Sequence, residues 1–317
     1  MQPSNFLKDQ PPQPALSGAA GIPALHTHLS AAKREMNAKL LGSASSGISI
    51  SDSTVPTRDG YKIPIRIYKP NSPPPEGSRL VILSHGGESC LGNLEDEELT
   101  GPKFAKELGC VVANADYRLA PEHPFPAGVN DTWDAVKWLQ MPPPSAQTPP
   151  KGFIVGGPSA GGNLSAAVGT LARDEKLPPS LTSLMLQIPS LANFYNPHAK
   201  HAADFQSFKQ NERAQLLDRA AIDLFFDAHN PDKDSRLFSL YSDKALVSRA
   251  GLPPIYFQVC GLGPLRDGAL VFQREVRTKY ETPTKLRIYP GLPHSFWSYL
   301  PQQEVAYGYR RRHEMAS

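Results

Sequence analysis

Apolar residues in this chain fall in short runs, separated by polar and glycine- or proline-rich stretches. Ile63, Ile65 and Ile67 alternate with Pro64, Arg66 and Tyr68, the period of a strand with one buried face. A strand over 51–57 precedes it, and Arg58-Asp59-Gly60 supplies the hairpin turn. Further apolar runs at 79–83, 111–115, 153–155, 181–188, 254–260 and 285–289 predict more strands. Segments at 97–108, 130–139 (with Trp133 and Trp138), 163–171 and 265–280 predict helices between them. Another helix is expected over 29–41, with Ser30 as its cap and Gly42 as its stop. Strands alternating with helices imply an α/β fold: a mostly parallel, eight-stranded sheet covered on both faces.

Three regions depart from that rhythm. Residues 1–20 are rich in Pro, Gln, Ala and Gly and read as irregular. Residues 71–77 and 141–150 read as Pro-rich loops. Residues 192–248 carry Phe194, Tyr195, His198, His201, Phe205 and Phe208 and then a helix over 213–228, and read as an inserted cap.

The chemistry gathers around the run 151–169. Phe153-Ile154-Val155 is a short buried strand, and small residues suited to a tightly packed helix follow it. Between them lies Gly157-Pro158-Ser159-Ala160-Gly161, a match to G-x-S-x-G. That pattern describes a nucleophile elbow, where a sharp strand-to-helix turn exposes a serine hydroxyl. Glycines flank the serine because a Cβ there would strike a neighbouring strand or helix. The N–H of Ala160, at the helix start, can face a developing oxyanion. A tight turn that merely needs glycines is the bland alternative. A serine nucleophile needs a base, and of nine histidines His294 is the one placed after the last strand beside a glycine turn.

Composition adds bounds. A chain of 317 residues with 40% hydrophobic content suits one domain, 1–317. A net charge of +3 is too small to argue for nucleic acid, so no such partner is expected, and Arg310-Arg311-Arg312 reads as a solvated tail. Three cysteines without metal spacing fit a reducing compartment and predict no metal and no cofactor. No secretory leader and no membrane span are evident, so a cytoplasmic protein with a small-molecule substrate is expected.

His85-Gly86-Gly87, the block from Asp116 to Ala127, the elbow, Pro264-Leu265-Arg266-Asp267 and Gly291-Leu292-Pro293-His294-Ser295-Phe296 together resemble the hormone-sensitive-lipase-like esterases of the α/β-hydrolase fold. The resemblance spans about residues 52–300. It implies a carboxylesterase or lipase, with a cap built from about 1–50 and 192–248. It implies Ser159 as nucleophile and His294 as general base. It further implies oxyanion N–H groups from Ala160, Gly87 and the residue after Gly87.

Two positions depart from the family pattern. The third glycine of its His-Gly-Gly-Gly motif is Glu88. The triad Asp expected before Pro264 is Gly263. The remaining Asp267 matches the family's other Asp, about 5 Å further along the helix, and reads as serving the first helical turn, with replacement of the missing acid as the alternative. Losing a triad acid costs about 10⁴ in kcat. Glu88 turned toward the oxyanion would oppose it by roughly 4 kcal/mol at an effective dielectric of 20. Glu88 is also a candidate acid/base. Cys90 reads as a packed thiol, Glu122 and His123 as turn residues, and His198 and His201 as a surface pair.

Three functions are therefore in view: an ester or lactone hydrolase, a lyase or cyclase of secondary metabolism using the same pocket, and a non-catalytic small-molecule receptor. Plant gibberellin receptors, which resemble this family, lack its histidine, so His294 weighs against the third.

Overall fold

The computed structural model describes residues 18–41, 46–140, 151–195, 199–241 and 248–299. The predicted loop at 141–150, His198 and the arginine run at 310–312 lie outside them. Eight strands form one sheet: β1 (Ile48–Pro56), β2 (Lys62–Pro70), β3 (Leu80–Ser84), β4 (Val111–Ala115), β5 (Phe153–Pro158), β6 (Ser183–Gln187), β7 (Ile255–Cys260) and β8 (Thr284–Tyr289). Their order is β1-β2-β4-β3-β5-β6-β7-β8. β2 runs antiparallel to β1 and β4, and the other pairs are parallel.

The helices are α1 (Ile22–Leu41), α2 (Gly101–Leu108), α3 (Ala127–Gln140), α4 (Ala160–Asp174), α5 (Ser207–Gln210), α6 (Arg219–His229), α7 (Arg266–Lys279) and α8 (Phe296–Tyr299). β3, β5, β6 and β7 are buried or nearly so along their whole length. This is why their sequences are continuous apolar runs rather than alternations.

Three expectations need correction. α1 starts at Ile22, so Ser30 lies inside the helix and does not cap it; its hydroxyl instead accepts from Asn93 Nδ2 at 2.8 Å. The helix placed over 213–228 starts at Arg219, because the Asp218 carboxylate caps the N–H of Ala221 at 2.8 Å. In β2 the burial of Ile63 and Ile65 passes to Tyr68 rather than to Ile67. The Tyr68 ring lies under the start of α2, where a Cβ on Gly101 would come within 2.4 Å of it, and its hydroxyl donates to Glu98 at 2.9 Å.

α1 and α6 share an apolar cluster in which Ile22 and Leu25 join Phe225, Ala228, Cys90 and Ala120. Polar bonds tie α1 to the segment after β3: His26 Nε2 lies 2.9 Å from Gly92 O, and Asn37 Nδ2 donates to Glu95 O at 2.7 Å. Among the described residues no helix is long and apolar enough to cross a membrane.

His229 ends α6, with its ring against Phe125 and Phe238. Burial holds its imidazole neutral down to about pH 4, whereas an unfolded histidine takes a proton near 6.5. Between those values the unfolded chain binds more protons than the folded one, so stability falls as pH falls from 6.5 toward 4. His229→Phe is expected to remove about 1 to 2 kcal/mol of the stability loss between pH 7 and 5. Urea unfolding of both proteins at the two pH values measures it, and equal losses would refute the assignment.

Candidate active site

Every piece of the site sits at the carboxyl end of a strand, the crevice side of an open α/β sheet. β3 and β5 are neighbours, with Leu83 opposite Gly156. The loop after β3 (His85 to Glu88) therefore meets the elbow after β5. β7 and β8 lie side by side further along, and their exits are stitched together: Gly261 N donates to Tyr289 O at 2.9 Å, and Leu262 N to Leu292 O at 3.1 Å. This places Gly263 beside His294.

The elbow is sharp. Ser159 has φ 55 and ψ −115, a conformation that a non-glycine residue adopts only when its surroundings hold it there. Ser159 N donates to Gln187 O at 2.8 Å, and Ser159 O accepts from Asn163 N at 3.0 Å. The flanking glycines are required by packing, not by φ: a Cβ on Gly157 would sit 2.1 Å from Ser84 O, and one on Gly161 would sit 1.9 Å from it. Asn163 adds a link that no motif announced. Its Nδ2 donates to Ser190 O at 2.6 Å and to Phe238 O at 2.7 Å, tying the elbow helix to the 192–248 insertion.

Ser159 and His294 are each only 5% exposed. Ser159 Oγ lies 3.0 Å from His294 Nε2. Its hydroxyl also donates to Glu88 Oε1 at 2.9 Å. Glu88 thus turns inward, onto the serine. It is half-buried, and burial pushes its carboxyl above the usual carboxylate range, with the Ser159 bond partly offsetting that. Burial pushes His294 down, to about 3, so it is neutral at ordinary pH.

Gly87, Glu88 and Ser89 all have positive φ (104, 53 and 61). The turn they form is held by Cys90 N and Leu91 N, both donating to Gly87 O. Ala160 opens α4, where an N–H has no partner within the helix. The N–H groups of Gly87, Glu88 and Ala160 donate to none of the other described residues.

Asp267 does not serve His294. Its carboxylate accepts from the backbone N–H groups of Gln206 and Ser207 and from Arg266 Nε, which fastens α5 to the first turn of α7. His294 Nδ1 is buried, with no hydrogen-bond partner among the described residues. A Cβ built on Gly263 would point at that atom from 3.8 Å. Both residues line a narrow space together with Ile188, Val259, Cys260, Leu265, Arg266 and Ala269.

The remaining candidates are structural. Cys90 is buried, its thiol faces Phe225 O at 3.6 Å, and burial pushes it up to about 12. His201 is buried against Phe205 and Tyr241, not a surface residue. In the Asp116–Ala127 block, Tyr117 stacks on His85 and donates to His85 O at 3.0 Å, while Arg118 pairs with the buried Asp131. The block thereby braces the loop after β3. Among the described residues no group of three or more His, Cys, Asp or Glu side chains is placed to hold a metal ion.

An eight-stranded, mostly parallel sheet with a serine elbow after β5 and a histidine after β8 defines an α/β-hydrolase fold. The family model described as alpha/beta hydrolase fold matches residues 81–298. An AB hydrolase superfamily protein of Schizosaccharomyces pombe is 35% identical over 256 residues, covering 80% of this chain and 74% of that protein. Carboxylesterase NlhH of Mycobacterium tuberculosis is 32% identical over 242 residues, covering 74% and 71% respectively. The crystal structure of vibralactone cyclase matches with a TM-score of 0.88 at 26% identity, covering 98% of this chain and 91% of that one. The chain belongs to the alpha/beta hydrolase fold family and is a carboxylesterase-like enzyme.

Proposed function

We propose that this enzyme transfers the acyl group of small carboxylic esters or lactones through Ser159, with water as the final acceptor. The carrying observation is the Ser159 hydroxyl, held on a strained elbow and touched by both His294 and Glu88 at hydrogen-bond distance. In this reading Ser159 Oγ attacks the acyl carbon to form an ester on the enzyme. The free N–H groups of Gly87, Glu88 and Ala160 receive the oxyanion, each such donor contributing on the order of 10²-fold in rate. In this reading α1 and α6, which pack together against Cys90 two residues beyond Glu88, belong to a cap, and a natural-product ester or lactone is the substrate class.

The test is covalent. A fluorophosphonate probe is expected to add its mass to Ser159 in the wild type and not in Ser159→Ala. Turnover of short p-nitrophenyl esters is expected to vanish in that variant while its fold is kept. Equal turnover in both proteins would exclude the acyl-Ser159 route.

A second reading, a non-hydrolytic cyclase or lyase, is favoured by Glu88 on the serine and by the likeness to vibralactone cyclase over nearly the whole chain. Glu88 and His294 would then move protons on a bound intermediate, with no acyl-enzyme. Turnover in H₂¹⁸O separates the two: hydrolysis places ¹⁸O in the acid product, whereas cyclisation leaves the product unlabelled.

A further inference from the structure

We propose that Glu88, not His294, takes the proton of Ser159, and that His294 serves Ser159 as an N–H donor through Nε2. This rests on the acyl-transfer reading and assigns the roles within it.

A serine hydroxyl has one proton to give. With Glu88 ionised, its carboxylate can only accept, so the hydroxyl donates to Glu88 Oε1, 2.9 Å away. The 3.0 Å contact with His294 Nε2 then needs a proton from the imidazole side, which fixes His294 as the Nε2–H tautomer. The other ring nitrogen agrees. His294 Nδ1 is buried and has no partner among the described residues. The Nε2–H tautomer leaves a bare lone pair there. The opposite tautomer would bury an N–H with nothing to accept it, the rarer and costlier kind of unmet group. An imidazolium formed during attack would be worse still, since it must carry an N–H at Nδ1. Gly263 fits the same picture: where no imidazolium forms, no carboxylate is needed to stabilise it. Basicity points the same way, because burial raises Glu88 and depresses His294 to about 3. The proton goes to the group that holds it more firmly.

The step balances. The Ser159 O–H bond breaks and its proton passes to Glu88 Oε1. The freed pair on Oγ bonds the acyl carbon, and the carbonyl π pair moves onto the oxygen facing the N–H groups. Collapse breaks the bond to the leaving alkoxide, which takes the proton from Glu88. In the second half Glu88 takes a proton from the attacking water and returns it to Ser159 Oγ. His294 stays neutral throughout.

The rate of fluorophosphonate labelling of Ser159, followed by intact mass, tests this. Glu88→Gln keeps the shape and an acceptor oxygen but cannot hold the proton, and is expected to slow labelling by about 10²-fold or more. His294→Gln offers an amide N–H in place of Nε2–H and is expected to slow labelling by about 10-fold, less than loss of a base would cost. The reverse order, with Glu88→Gln fast and His294→Gln slow, would overturn the inference while leaving Ser159 as nucleophile. No labelling of wild type would overturn the acyl-transfer reading and this inference with it. An independent check uses the unaltered protein with ¹⁵N-labelled histidine. The resonances that disappear in His294→Gln are expected to show a protonated Nε2 and a bare Nδ1, and a protonated Nδ1 would refute the assignment.

Discussion

Gly263→Asp is expected to raise kcat for a simple ester about 10²-fold. Gly263 follows β7 at the point where its chain is stitched to the His294 loop. Its φ lies outside the left-handed region, so an L-residue suits the backbone. An added Cβ would point at His294 Nδ1 from 3.8 Å, which leaves a carboxylate oxygen within bonding reach of that atom. The one tight contact is Cys260 O at 3.2 Å, which must yield by a few tenths of an ångström. A carboxylate there would accept Nδ1–H, free Nε2 to accept the Ser159 proton, and stabilise the imidazolium formed on attack. Removing such an acid costs about 10⁴ in serine hydrolases. The gain is set lower because the shell around residue 263 is not arranged for a carboxylate: Arg266 lines the same space but is engaged by Asp267 and Gly261 O. The substitution also creates a second base, so Gly263→Asp is expected to make turnover tolerate Glu88→Gln, which the parent does not. Steady-state kinetics on the single and double variants, with circular dichroism for folding, measure both effects. A folded Gly263→Asp without gain would show that the pocket does not support an imidazolium at all.

The sheet was legible because its central strands are buried on both faces, which writes them as unbroken apolar runs such as 153–155 and 254–260. The elbow was legible because its glycines answer a local packing demand. Helix starts were less so. α1 begins eight residues before the nearest polar cap of the sequence reading, carried by the burial of Ile22 and Leu25 against α6, a contact between segments some 200 residues apart. The direction of Glu88 could not be read at all. A carboxylate beside a glycine pair can face solvent or pocket, and the choice follows from three consecutive positive φ values that no propensity rule assigns to Glu-Ser. Asp267 shows the converse. The sequence reading has it serve the first turn of its own helix, whereas its carboxylate accepts from Gln206 and Ser207 at the start of α5, in an insertion whose fold the sequence pattern did not resolve.

Gly161→Ala is expected to destabilise the protein by more than about 3 kcal/mol and to cut esterase activity by at least about 10²-fold. Helix propensity alone predicts the opposite, since alanine inside a helix is favoured over glycine by about 1 kcal/mol. Packing decides the sign. Gly161 lies in the first turn of α4, and a Cβ there would come within 1.9 Å of Ser84 O and 2.7 Å of His85 O. Both atoms are backbone at the end of β3, a strand hydrogen-bonded on each side, so neither can swing away as a side-chain tip would. Relief requires α4 and the β3 exit to part by more than an ångström. That motion carries the Gly87–Glu88 turn away from Ser159 and loosens the N–H groups proposed to hold the oxyanion. Gly268→Ala in α7 is the matched control: its Cβ would meet Phe194 and Ala192 at 3.5 to 3.6 Å, ordinary contact, and stability should be unchanged or rise by up to about 1 kcal/mol. Urea unfolding at pH 7 and ester turnover on the two variants measure the contrast. A Gly161→Ala protein as stable and active as Gly268→Ala would show that the elbow and the β3 exit are not in the contact described.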